Sequence, residues 1–189
     1  MDSTALLTAD HNRIRGLFAR FKEAQAADAT STMAGLADEI FTELQVHTTI
    51  EEDFFYPEVR QGDDELEDMV AEGLEEHHVV DELMSEAGSM TPGEEAWVAK
   101  LTVLIENVEH HAGEEESELF PKVRRVFAAA DLEGQARRLE ARKAQLGAPT
   151  MADKEHLSVD DLRRLAQDQE IPGRSSMDRE QLLATVAPG

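Results

Sequence analysis

Apolar residues recur three and four positions apart along most of the chain, and no stretch alternates apolar and polar residues as a half-buried strand does. The pattern predicts a first helix over residues 4–26, with Leu7, Ile14, Leu17, Phe18 and Phe21 on one stripe. A second helix is expected from about Thr32 to Arg60, and a third over 63–87, opened by Asp63 and Asp64 and stopped near Gly88. A fourth starts after Thr91-Pro92, with proline in its first turn, and runs to about Ala129. A shorter fifth, 131–146, ends at Gly147. Long helices with short connections pack as antiparallel neighbours, so the expected fold is all-α: an up-down four-helix bundle with an added short helix, over residues 1–147. Residues 148–157, opening Ala148-Pro149-Thr150, read as a linker. Residues 158–189 read as a small module of two helices: one from Ser158-Val159-Asp160-Asp161 to about Gln169, an extended turn over 171–176, and one from Asp178 to Val186. So short a segment has little interior of its own, and is expected to be marginal or to dock on the bundle.

The same pattern contains an internal repeat. His47-Thr48-Thr49-Ile50-Glu51-Glu52-Asp53-Phe54-Phe55-Tyr56-Pro57 matches His111-Ala112-Gly113-Glu114-Glu115-Glu116-Ser117-Glu118-Leu119-Phe120-Pro121 position by position. Upstream, Met33, Ala37, Ile40 and Leu44 align with Trp97, Leu101, Leu104 and Val108. The preceding helices match as well: Asp10-His11 aligns with Glu76-His77, and in both cases apolar residues follow His at +3, +6 and +7. The chain therefore reads as a duplicated helical hairpin. Each half supplies one lone His and then a His-x-x-x-Glu pair.

Residues four apart share a helix face, so His47 with Glu51 and His111 with Glu115 can each reach one metal ion. Two such pairs facing each other bring both carboxylates to the midline, where each can bridge two ions, and His11 and His77 add nitrogen donors. Six polar residues on core-facing stripes are costly to bury without partners, and a metal pair supplies partners for all six. The alignment through Pro57 and Pro121 selects His111 and Glu115 over His110 and Glu114, and apolar phasing selects His77 over His78. Glu52 and Glu116 read as surface acids or acids that support the ligands. Tyr56, the only tyrosine, could hydrogen-bond near a redox metal, although packing beside Pro57 is the plainer reading.

Composition narrows the chemistry. The absence of cysteine removes disulfides, thiolate metal sites and Cys nucleophiles, and imidazole with carboxylate favours iron, manganese or zinc. A formal net charge of −23 repels nucleic-acid phosphate and anionic lipid, so neither is an expected partner. No segment approaches the ~18 apolar residues of a membrane span. The N-terminus has no basic segment before its short apolar patch, and the expected location is the cytoplasm.

These residues resemble the hemerythrin-like, or HHE cation-binding, family over roughly residues 5–128. The resemblance rests on His11, His47 with Glu51, His77, His111 with Glu115, and the Phe-Tyr-Pro and Leu-Phe-Pro ends. It implies a non-haem di-iron centre bridged by the two glutamates and a solvent oxygen. It also implies a small oxidant or gas ligand: hydrogen peroxide, dioxygen or nitric oxide. The family's oxygen carriers have a fifth His on the third helix; here Asp81 lies four residues beyond His77 and Gly73 four before. Two open metal positions suit exchange of small oxidants better than reversible carriage. The alternative is a non-catalytic oxygen or iron sensor whose C-terminal module relays the metal state. That module resembles the small helix–turn–helix at the N-terminus of the terminator Rho and SAP-type modules, through Leu157–Leu162, Leu165-Ala166, Ile171–Met177 and Leu182-Leu183. Such modules often touch nucleic acid, but residues 151–189 hold 5 basic and 8 acidic side chains, so the basic footprint is missing.

Overall fold

A computed structural model describes residues 1–148, 159–168 and 171–186, and these residues are helical with no strand. Helix α1 spans Ser3–Ala26 and α2 spans Thr30–Ile50. A π turn over Glu51–Phe55 leads into the short α3, Tyr56–Val59. Helix α4 is Asp64–Gly88, capped by the Asp63 carboxylate, which accepts from the Leu66 N–H. Helix α5 is Glu95–Glu114, followed by a second π turn over Glu115–Leu119 and by α6, Phe120–Val126. Helix α7 covers Ala129–Gln145. Beyond it are α8, Val159–Asp168, a 3₁₀ turn over Arg174–Ser176, and α9, Arg179–Thr185. Helix α9 opens with an Asp178–Gln181 capping box. Apart from Ala148, the expected linker lies outside the described residues.

Helix α1 packs on α2 and α4 on α5, giving two hairpins that close face to face as a four-helix bundle. The core is in two parts. One holds Ile14, Phe18, Phe21, Ile40, Leu44, Trp97, Leu101 and Leu104, among others. The other holds Leu7, Ile50, Phe55, Tyr56, Leu66, Val70, Phe120, Val123 and Leu139. On α1 and α4, the residues after His11 and His77 feed the first cluster and those before them the second; α2 and α5 feed the first cluster ahead of His47 and His111, and the segments that follow these two histidines, with Ile50, Phe55, Leu119 and Phe120, feed the second. A polar layer therefore crosses the middle of the bundle.

Three local features depart from the sequence reading. The second and fourth helices are not continuous, because the π turns begin at Glu51 and Glu115. In a regular helix the rings of Pro57 and Pro121 would collide with carbonyls four residues back. The π turn takes up one extra residue, and its closing bonds run from the Tyr56 N–H to the Glu51 carbonyl and from the Phe120 N–H to the Glu115 carbonyl. Pro92 does not sit in the first turn of α5, which begins three residues later at Glu95. Gly93 follows Pro92 with φ +88° and presses against Thr30, where a Cβ would lie 2.5 Å from the threonine methyl, so the chain turns before the helix starts. The third is the segment 171–176, which contains the 3₁₀ turn rather than a wholly extended one.

The added helix α7 lies against α1, α2 and the first π turn, and buries Leu132, Gln135, Ala136, Leu139 and Lys143. Helices α8 and α9 share a small core of Leu162, Ala166, Leu182, Leu183 and Val186, and α9 rests on α1. Truncating Ile40, fully buried in the first cluster, to alanine is expected to lower unfolding free energy by about 2–5 kcal/mol in a denaturant titration. The exposed Val103→Ala is expected to change it by less than about 0.5 kcal/mol.

Candidate metal centre

His11, His47, Glu51, His77, His111 and Glu115 are all buried, and all six meet in the polar layer. His11 comes from α1, His77 from α4, and His47 and His111 from the last turns of α2 and α5. Glu51 and Glu115 open the two π turns. The four imidazoles present their Nε2 atoms inward, 3.0 Å apart for His11 and His47 and 3.1 Å apart for His77 and His111. Glu51 Oε2 lies 3.3 Å from Nε2 of both His47 and His77. Glu115 Oε2 lies 3.2 Å from His11 and 3.8 Å from His111. Each carboxylate thus reaches an imidazole from either half. Donor atoms of His11, His47, Glu51 and Glu115 fall within 4.8 Å of one another, as do those of Glu51, His77 and His111.

The outer ring nitrogens are anchored differently. His11 Nδ1 pairs with Glu116 at 2.8 Å, His77 Nδ1 with Glu52 at 3.0 Å, and His111 Nδ1 with Glu76 at 2.6 Å. An Nδ1–H that donates to a carboxylate leaves the Nε2 lone pair pointing inward and more basic, as a metal ligand requires. Glu52 and Glu116 are therefore the supporting acids that the sequence allowed. Glu76 was not legible, because it pairs across the bundle with a histidine of the other helix in its hairpin. His78 and His110 point outward and pair with Glu82 and Glu114 on their own helices. Asp81 is exposed.

Tyr56 does more than pack beside Pro57. It is fully buried, and its hydroxyl donates to Glu115 Oε1 at 2.9 Å and lies 3.4–3.5 Å from Nε2 of His77 and His111. Gly73 makes room for it: a Cβ there would stand 2.9 Å from the tyrosine oxygen. The place that a side chain at 73 would fill thus holds the Tyr56 hydroxyl. A small cavity of about 90 Å³ runs here from exposed Glu72 and Glu118, past Glu76, to Tyr56, His111 and Glu115. In the other half the aligned residue is Phe120, whose ring stacks on His11 with no polar atom to offer.

Electrostatics in this layer are those of a site that wants cations. Burial pushes the Glu115 carboxyl up, but the facing His111, His11 and His77 outweigh it and bring it down to about 2. Glu51 moves well above the usual carboxylate range, through burial and then through the neighbouring Glu115. Burial lowers His11, yet hydrogen bonds to Glu115 and Glu116 raise it to about 9. His47 is driven down by burial, and further by the charges of the other three histidines and of Lys143. The Tyr56 phenol is pushed up by burial and by the two glutamates. Both oxygens of Glu51 and Oε2 of Glu115 are buried without a hydrogen-bond donor. Orphaned carboxylate oxygens facing converging imidazoles fit a hard or borderline divalent cation.

A helical bundle crossed by a buried His/Glu cluster defines a metal-binding four-helix protein. Residues 2–123 match the Hemerythrin HHE cation binding domain, and the chain belongs to that family. It is also 23% identical over 148 residues to a DNA nickase of Nostoc sp. (strain PCC 7120 / SAG 25.82 / UTEX 2576), a match that covers 77% of this chain and 40% of that protein. The chain thus spans well under half the length of that relative. No solved structure matches.

Because His11 is raised to about 9 and Glu51 is raised by burial and by Glu115, both hold their protons more tightly than usual, and cation binding works against those protons. Loading at pH 7 is expected to release protons, that of His11 among them, read from the buffer dependence of the calorimetric enthalpy. Affinity is expected to rise with pH until His11 has lost its proton, near 9.

Proposed function

We propose that this chain is a cytoplasmic, non-haem di-iron protein that reacts with small oxidants (hydrogen peroxide, dioxygen or nitric oxide) in stress defence. The observation that carries this reading is the reach of Glu51 and Glu115, each within 3.2–3.8 Å of imidazoles from both repeats, which suits two ions bridged by carboxylates. His11 and His47 would hold one ion and His77 and His111 the other. Iron bound there supplies reversible one-electron chemistry and open positions for an oxidant. Glu52, Glu76 and Glu116 fix the tautomer and aim of three histidines. The Tyr56 hydroxyl offers a hydrogen bond beside the His77–His111 pair, and the acid-lined cavity gives a small neutral molecule a route to it. The surrounding apolar clusters keep bulk water out.

A sensor is the second reading, and one observation favours it. Helix α9 rests on α1, the helix of His11, and the cleft between them is lined by Glu116 and Phe120, the residues that hydrogen-bond to and stack on that histidine. A change at His11 could reach the C-terminal module by this path. The two readings part on turnover. Iron-loaded protein consuming many equivalents of peroxide supports the first, and a single-equivalent spectral change without turnover supports the second.

Purified protein is expected to carry about two ions per chain, as paired sites ~3.5–4 Å apart do. Glu51→Ala and Glu115→Ala are each expected to lose most of the metal by elemental analysis, and Glu52→Ala to keep it. At metal concentrations about 100-fold above Kd, stripping the ions should remove about 2.7 kcal/mol or more of stability and lower Tm accordingly.

Nucleic-acid binding is not proposed, despite the name of the Nostoc relative. The net charge of −23 opposes approach to phosphate, and the tail adds no basic patch. No shift of duplex or single-stranded DNA is expected at physiological salt; micromolar binding that weakens with salt would overturn this.

A further inference from the structure

The two halves of the repeat are not equivalent, and the difference lies one layer outside the ligands. By the alignment of Asp10-His11 with Glu76-His77, Asp10 stands where Glu76 stands in the other half. Glu76 accepts from Nδ1 of His111, the second histidine of its hairpin, at 2.6 Å. The corresponding histidine of the first hairpin is His47, and Asp10 would be its partner by symmetry. The pairing is not made. His47 Nδ1 is buried with no hydrogen-bond partner, alone among the four site histidines. Asp10 is one methylene shorter than glutamate, and its Oδ1 is taken by Lys143 Nζ at 2.6 Å and by Arg13 at 2.7 Å. Its Oδ2 is buried and unpartnered.

Lys143 belongs to α7, which has no counterpart in the repeat, so nothing draws Glu76 away in the same manner. Lys143 and Asp10 are both almost wholly buried. The ammonium thus holds the carboxylate in an ion pair, and His47 Nδ1 is left without an acceptor. Inward donors do not offset this. Each side has two imidazoles and access to both bridging glutamates, and the side of His77 and His111 also has the Tyr56 oxygen, which Phe120 does not match.

We propose that Lys143, by holding Asp10 off His47, makes the His11–His47 position the weaker and more exchangeable of the two metal positions, so that the ions load in a fixed order with the His77–His111 position first. A carboxylate on the outer nitrogen raises ligand basicity and fixes ring orientation, and losing such a partner lowers metal affinity by about 10–100-fold. Asp10 and Lys143 act through His47 as positioning residues. One ion is thereby held firmly while the other can be gained or lost. This rests on the two-metal reading above.

The test is a titration of metal-free protein with cobalt(II), followed by equilibrium dialysis and by the near-ultraviolet circular dichroism of tyrosine. Tyr56 is the only tyrosine, its ring centroid lies 5.3 Å from that of His77 and its hydroxyl 3.4–3.5 Å from Nε2 of His77 and His111, so its signal is weighted toward that position. Two binding steps separated by about 10-fold or more are expected, with the tyrosine change complete after the first equivalent. Glu76→Asp shortens the partner of His111 at a half-buried site where folding should survive, and is expected to merge the two steps by weakening the first. Two ions bound with equal affinity, a tyrosine change that waits for the second equivalent, or a Glu76→Asp variant with unshifted steps would overturn the inference and leave the two-metal reading standing. Uptake of a single ion by the unaltered protein would overturn both.

Discussion

Six ionisable side chains buried across the middle of a helical bundle are the constraint from which the rest of this structure follows. Placing four imidazoles and two carboxylates in a dry layer costs several kcal/mol per uncompensated charge. The protein offsets part of that cost internally. Glu52, Glu76 and Glu116 accept from three of the rings, and against burial the histidines facing Glu115 bring its carboxyl down, while burial and then the neighbouring Glu115 push Glu51 up. Both oxygens of Glu51 and Oε2 of Glu115 remain without a hydrogen-bond donor, and a bound cation is the kind of partner that satisfies them. The apolar clusters on either side are what hold this layer in register. Helices α1, α2 and α4 contribute to both clusters, and α5 is continued into the second by the π turn and α6 that follow it, so none can slide without moving a histidine.

The π turns are the second device. They fall at the same place in both repeats, starting at the glutamate and ending just before the residue that precedes proline. By absorbing one residue they relieve the proline rings and let Glu51 and Glu115 face the centre while Tyr56 and Phe120 turn inward one layer below. Duplication then permits divergence. At the aligned aromatic position one half has a phenol that fills the space left by Gly73 and bonds to Glu115, and the other has a phenyl ring stacked on His11. A symmetric fold therefore encloses an asymmetric site.

Elements outside the repeat sharpen that asymmetry. Helix α7 brings Lys143 to Asp10, and α9 rests on α1 near the residues that support His11. Both touch the His11–His47 side. The half with His77 and His111 faces the acid-lined cavity instead. Access from solvent and contact with the appended helices are thus divided between the two sides of one cluster.

The helical class, the duplicated hairpins and the six inward residues were all legible in the sequence, because each is a matter of period. A stripe at three and four residues gives the helix, a repeat of about 64 residues gives the duplication, and the apolar phase around each histidine tells His77 from His78 and His111 from His110. Glu52 and Glu116 could be named as supporting acids, although not the histidines they would reach. What period cannot express is a contact between elements distant in the chain. The pairing of Glu76 with His111, the hydroxyl of Tyr56 lying where Gly73 has no side chain, and the capture of Asp10 by Lys143, 133 residues away, all depend on how helices pack against one another. The π turns were hidden for a related reason: Pro57 and Pro121 mark a place where a regular helix must yield, and packing of the adjoining aromatic residues decides that it yields by widening rather than by ending.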